Sequence, residues 1–383
     1  MPKKVAVIFG TRPEATKMAP VVLALKKYPE WFDTRVIVTG QHREQLYQAL
    51  ETFQVKPDLD LQVMKEQQKL AYVSSAVLQG LDRVFSEDLP DFVLVHGDTQ
   101  TAAFGAMAAF FHQIPIGHVE SGLRSYDKYS PFPEEINRKV ADLVADVMFA
   151  PTQMSKSNLL KEDYPEGQIY VTGQTSVDAA LATYQETYAF HEQKLNELQL
   201  NGRRLVVVTA HRRENYGEPM KQMFTAIRRL ADDHPDVQVV YPVHLSPTVR
   251  EAADLYLSGH ERILLLDPLD FPDMINIMAR AHLILSDSGG LQEESSVFSV
   301  PMILMRETTE RPEAVAANTV VLAGTSEEKI YEIGFKLLND QEAYHAMAQA
   351  VNPFGDGTAS DRIARVLAYY FGYLEHPPED MNL

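Results

Sequence analysis

The sequence predicts an α/β protein made of two doubly wound parallel-sheet domains, and three observations lead there. Short apolar runs alternate with helical stretches along nearly the whole chain. Strand, helix, strand in rotation gives parallel strands with helices on both faces. The rhythm pauses once, after "IYVTG" (169–173), and restarts at "RLVVVTAH" (204–211). Finally, 383 residues are too many for one ordinary core and suit two.

In the first half, "KVAVIF" (4–9), "RVIVTG" (35–40), "DFVLVHGD" (91–98), "PIGHVES" (115–121) and "DVMFAP" (146–151) read as buried strands. Helices fall between them at 13–28, 70–87 and 100–112. In 13–28, Ala15, Met18, Ala19, Val22 and Leu25 recur at helical spacing, and Pro13 suits the first helical position. Residues 177–200 form a long polar, helix-like stretch with no strand in it, so a domain boundary is expected within 173–202. The second half continues with "VQVVYPVH" (237–244), "RILLLDP" (262–268), "HLILSDS" (282–288), "VPMILMRE" (300–307) and "TVVLAG" (319–324). A last amphipathic helix is expected over about 360–374. The predicted domains are 1–172 and 173–359.

Composition narrows the function. Hydrophobic residues make up 45% and charged residues 23%, the balance of a globular protein. There is no cysteine, hence no disulfide framework, thiol nucleophile or cysteine-bound metal. The formal net charge of −18 argues against nucleic acid and anionic membrane as partners. No apolar stretch is long enough to span a bilayer, and the N-terminus lacks a signal-peptide pattern. A soluble, cytoplasmic protein is expected.

Open parallel sheets bind ligands beyond the carboxyl ends of their strands, and here those ends carry the reactive side chains. In the first half, "FGTRPEATK" supplies Gly10, Arg12 and Lys17, and "HGDT" ends in Asp98. "HVESGLR" brings Glu120, and "SPFPEEINR" brings Glu134 and Arg138, one helical turn apart. In the second half, "TAHRRENYGEP" places His211, Arg212 and Arg213 at a strand end, and "MRETTERPEAV" adds Arg306 and Arg311. Between strand and helix lies "SDSGGLQEESS", with Ser288, Gly289 and Gly290. A helix start offers unpaired N–H groups and partial positive charge, and glycines let a phosphate approach closely. Glu294, one turn on, suits a ribose diol. The same residues also fit an ordinary reading as helix caps, solvated charges and a tight strand-to-helix turn. The glycine spacing is not that of a dinucleotide or Walker-type site. The acids lack the spacing of a known metal motif. No cofactor and no metal are expected.

These blocks, together with "YPVHLSP" and "NPFGDGTAS", resemble the signatures of bacterial non-hydrolysing UDP-N-acetylglucosamine 2-epimerases, in order, from the first strand to the last helix. The resemblance implies a GT-B-like pair of Rossmann-type domains with the site in their cleft, a last segment (360–383) rejoining the first domain, and a homodimer. It implies interconversion of UDP-GlcNAc and UDP-ManNAc, serving cell-surface polysaccharide. Arg12, His211, Arg212, Ser288, Gly289, Gly290, Glu294 and Arg311 would bind UDP. Lys17, Asp98, Glu120, Glu134 and His211 would surround the reacting sugar, with Arg138 holding the site.

The C2 proton of the sugar has no adjacent carbonyl, so the family's route loses UDP from C1 as that proton leaves. UDP then adds back to 2-acetamidoglucal after reprotonation on the other face. That route needs cations at the diphosphate, carboxylate acid/base groups and an anion near C1. Members also bind a second UDP-GlcNAc as activator. Gln41 and His244 match that subsite, but Glu44 stands where a glutamine is common and Gln67 where an arginine is common. One acid gained and one cation lost are expected to weaken activation. A hydrolysing epimerase, a GT-B glycosyltransferase and a non-catalytic nucleotide-sugar sensor are the rival readings.

Overall fold

A computed structural model of the chain describes residues 1–40, 43–63 and 69–382; nothing is described of the Arg43 and Glu44 side chains. Gln41 and Gln67, and the side chain of Glu44, thus lie outside the described residues. The chain packs as two units, Met1–Ala182 with Phe354–Leu383, and Thr183–Pro353. The point 172/173 lies inside the first unit, whose helix Thr175–Thr183 follows its last strand.

The first unit holds one seven-stranded sheet. Its strands are β1 (Lys3–Phe9), β2 (Phe32–Val38), β3 (Leu59–Asp60), β4 (Phe92–His96), β5 (Ile116–Val119), β6 (Val147–Ala150) and β7 (Ile169–Val171). All pairs are parallel, in the order β3-β2-β1-β4-β5-β6-β7. Val5, Val7, Ile8 and Phe9 of β1 are fully buried, as a central strand covered on both faces requires. The two-residue β3 has no apolar run behind it and is not legible as a strand.

The helix Arg12–Lys26 starts at a capping box: Thr11 caps the Glu14 amide while Glu14 Oε2 accepts from the Thr11 amide at 2.8 Å. Gly10 has a steric reason. A Cβ there would collide with the hydroxyls of Thr39 and Thr101, which bond one another at 2.9 Å. The chain returns to this unit at Phe354, whose carbonyl accepts from the Gln174 amide at 2.7 Å. The final helix, Ala359–Tyr370, packs on Arg12–Lys26, and its first turn is held by Asp178, which accepts from the Ser360 amide at 2.7 Å.

The second unit holds a six-stranded parallel sheet. Its strands are β8 (Arg204–Thr209), β9 (Val237–Pro242), β10 (Ile263–Leu266), β11 (Leu283–Ser286), β12 (Met302–Leu304) and β13 (Val320–Leu322), in the order β10-β9-β8-β11-β12-β13. Helix Glu218–Asp233 buries Met220, Met223, Phe224, Ile227 and Leu230 against it.

The stretch expected to be helix-like over 177–200 is not one helix. Helices span Thr175–Thr183 and Gln193–Glu197, with irregular chain between. Tertiary contacts override helix propensity there. Asp273 accepts from the Tyr188 hydroxyl and from the His191 and Glu192 amides at 2.8–2.9 Å, and Arg280 donates to the Gln185 and Glu186 carbonyls at 2.9 Å. Among the described residues no helix is long and apolar enough to cross a membrane.

Candidate active site

In a doubly wound sheet the ligand crevice opens where strand order reverses. In the first unit that point is β1/β4, and in the second it is β8/β11. The loops leaving these four strands carry Gly10–Arg12, Gly97–Asp98, Ala210–Arg212 and Asp287–Gly290.

In the first unit the register pairs His96 with Val119, so Glu120 emerges beside His96. Glu120 is 8% exposed and has φ 69°, in the left-handed region. A non-glycine residue there costs about 1–3 kcal/mol and persists only when its surroundings impose it. Those surroundings are charged: Lys17 Nζ donates to Glu120 Oε2 at 2.6 Å, and His96 Nε2 lies 3.1 Å from the same oxygen.

Asp98 forms a second cluster. Arg138 Nη2 donates to its carboxylate and Asn137 Nδ2 to its carbonyl at 2.9 Å. Arg138 also donates to Glu135 at 3.2 Å. Glu135 is buried and accepts from the Ser125 and Tyr126 amides at 2.9 and 3.1 Å. Arg138 thus serves Asp98 and Glu135, whereas the sequence spacing offered Glu134. Arg12 and Glu134 open the helices Arg12–Lys26 and Glu134–Val144 at the carboxyl edge of the sheet. Arg124 turns away to Asp142 and Glu162, each at 2.8 Å. Burial raises the Glu14 carboxyl above the usual range, although Thr99, Thr11, His96 and Gly10 all pull it down. Glu14 anchors the β1 and β4 loops together by accepting from the Gly10 amide and the Thr99 hydroxyl.

In the second unit the organising residue is Asp287, which is fully buried. It accepts from the His211 amide at 3.0 Å, the Arg212 amide at 2.9 Å and Asn215 Nδ2 at 3.0 Å, joining the two loops of the switch point. The Ser288 amide donates to Ser286 Oγ at 2.9 Å. A Cβ on Gly289 would lie 3.0 Å from Arg311 Nη1 and 3.3 Å from Arg212 Nη2, so two guanidiniums face this bare Cα. Arg311 is aimed by Glu293, whose Oε1 accepts from Nε at 2.5 Å.

Gly290 is the N-cap of Leu291–Val297 in right-handed conformation, with open space where its Cβ would stand. Glu294 sits in that helix's first turn, partly buried. His211 stacks on His244, with centroids 5.3 Å apart at 18°. Burial, with His244 and Arg212 nearby, holds the His211 pKa below the ordinary histidine value despite Asp287. Arg306 pairs with Glu214 at 3.3 Å.

The structure therefore joins Lys17 with Glu120, Arg138 with Asp98, Arg212 and Arg311 with Gly289, and His211 with His244. The sequence reading gave no role to His96 or Asp287 and placed Glu135 only beside Glu134 and Arg138. All three lie inside quoted blocks, but only strand register shows what each meets.

The sequence profile of the UDP-N-acetylglucosamine 2-epimerase family matches residues 24–368. The chain belongs to that family. It is 51% identical to the Bacillus subtilis UDP-N-acetylglucosamine 2-epimerase over 379 residues, 99% of this chain and 98% of that protein. Among solved structures of the family, S. aureus MnaA with UDP is 44% identical, covering 99% of this chain and 100% of that one, with TM-score 0.89. The Neisseria meningitidis UDP-GlcNAc 2-epimerase bound to UDP-GlcNAc is 42% identical over 96% of this chain and 100% of that one, with TM-score 0.87. A glycosyltransferase of kitacinnamycin, 11% identical with TM-score 0.65, shares the fold alone, which is GT-B-like.

One further group, His191, Asp270 and Asp273, brings three ligand-type atoms within 4.8 Å. Asp273 already accepts the three donors that fix segment 184–192, and Asp270 caps the helix Phe271–Met278. Within the epimerase family member described here, the group reads as a loop anchor.

Proposed function

We propose that this chain interconverts UDP-GlcNAc and UDP-ManNAc by eliminating UDP to 2-acetamidoglucal and adding it back, without hydrolysis, cofactor or metal, and so supplies ManNAc units for cell-surface polysaccharide. Family membership and the UDP and UDP-GlcNAc held by relatives support the substrate. The observation that carries the chemistry is Glu120, a buried carboxylate kept in a left-handed backbone beside Lys17 and His96.

In this reading the second unit takes the diphosphate through the Ser288–Gly290 amides, Arg212 and Arg311, with Arg12 adding charge and His211 donating a ring N–H as UDP departs. Arginine hydrogen bonds to a phosphate contribute about 1.5–3 kcal/mol each. That local positive field is what an anionic ligand needs in a chain of formal net charge −18. Asp98, Glu120 and Glu134 together supply acid, base and the anion near C1, with Lys17 paired to Glu120 and Arg138 to Asp98. Glu294 takes the ribose. We also propose that the protein works as a cytoplasmic homodimer, and that Glu44 and Gln67 weaken activation by a second UDP-GlcNAc at the subsite of Gln41 and His244.

The test is UDP-GlcNAc in D₂O followed by NMR. UDP-ManNAc should appear with deuterium at C2 in both epimers and no added NAD. Retention of all C2 protium would contradict the elimination. Release of free ManNAc and UDP would favour the hydrolysing reaction, and no turnover would favour a sensor.

A further inference from the structure

Beneath Asp98 and Glu120 lies a buried pair that the chemistry above leaves unused. His118, in β5 two residues before Glu120, and Asp142, in the helix Glu134–Val144, both have no exposed surface. His118 Nδ1 is 2.5 Å from Asp142 Oδ1, and Nε2 is 2.7 Å from the Gly97 carbonyl oxygen. Both ring nitrogens thus face oxygens that accept, an arrangement a doubly protonated ring satisfies.

Asp142 has the surroundings of an anion. The Ser121 hydroxyl donates to Oδ1 at 2.5 Å, and Arg124 Nη1 lies 2.8 Å from Oδ2. Burial alone would raise its pKa, yet His118, Arg124 and Ser121 outweigh burial and bring it to about 2.

The two bonds reach the two acids of the site. Gly97 immediately precedes Asp98, and Ser121 immediately follows Glu120. Gly97 and Glu120 have φ of 64° and 69°. Glu120 in particular adopts a conformation that only its neighbours can hold. We propose that His118 and Asp142 are positioning residues: the charged ring holds the Asp98 turn through the Gly97 carbonyl, and Asp142 holds the Glu120 turn through Ser121, fixing the two acids relative to one another. The inference rests on the proposed function in so far as Asp98 and Glu120 are its acids.

Two measurements test it. Nitrogen-15 NMR of ring-labelled wild-type chain at neutral pH should show both His118 nitrogens protonated, assigned by their loss in His118→Gln. One unprotonated ring nitrogen would overturn the inference. In His118→Gln one amide must replace two opposed donors. The variant should keep its circular dichroism and UDP affinity. Its kcat should fall about 100-fold with KM little changed, the size expected for misplacing a reacting group by about 1 Å. Amide exchange should quicken at 97–99 and 120–122. Wild-type kcat and exchange would contradict the proposal. Should His118→Gln fail to fold, Ser121→Ala breaks only the Asp142 link and should lower kcat with UDP affinity intact; an unchanged kcat there is equally fatal. If the wild-type chain has no epimerase activity, the functional reading falls, while ring protonation and amide exchange still decide what the pair does.

Discussion

Asp98→Asn is expected to abolish turnover, lowering kcat by about 10²–10⁴-fold, the range lost with a general acid or base, while leaving UDP affinity nearly intact. The substitution keeps the shape of the side chain and removes its charge. Arg138 retains Glu135 as an ion partner at 3.2 Å, and the Asp98 backbone carbonyl still accepts from Asn137. The turn should therefore survive, and the loss should be one of chemistry. Steady-state kinetics with UDP-GlcNAc and calorimetric titration with UDP separate the two effects. A large loss of UDP binding would mean that Asp98 holds the nucleotide and does not work on the sugar.

Asp287→Asn should show the opposite pattern. Asp287 has no exposed surface and gathers three donors from the loop after β8. An asparagine oxygen cannot accept all of them, and its NH₂ would face donors. Each buried donor left unpaired costs about 1–3 kcal/mol, so the melting temperature should drop. The same bonds hold the backbone of Arg212, whose guanidinium stands with that of Arg311 over Gly289. UDP affinity should fall roughly ten- to a hundredfold, equivalent to about one charge-assisted hydrogen bond. Unchanged UDP affinity in a folded Asp287→Asn chain would show that this loop does not hold the nucleotide.

The sequence made the strands legible because a parallel strand buried on both faces must be an apolar run. Eleven residues of "PDLDLQVMKEQ" contain no such run, which is why β3 escaped. The edge of each sheet that holds the candidate residues was also legible, since loops leaving the carboxyl ends carry Arg12, Asp98, Glu120, His211 and Ser288–Gly290. Pairing within the site was not. Which carboxylate Arg138 meets depends on how β4 lies beside the helix Glu134–Val144, and the local i, i+4 rule points to Glu134 instead. Asp287 sat inside the quoted "SDSGG", but nothing local shows the donors it gathers. Those donors follow from the Ser286–Thr209 register, which sets Asp287 opposite Ala210 and next to His211. The two glycines differ as well: a Cβ on Gly289 would press on two guanidinium ends, whereas Gly290 has room.

The most direct measurement is a crystal structure of the chain with UDP bound. The diphosphate is predicted to lie against the Ser288–Gly289–Gly290 backbone within hydrogen-bonding distance of Arg311 and Arg212. A diphosphate seated away from that bend, with both guanidiniums unengaged, would contradict the claim that the second unit grips the leaving group.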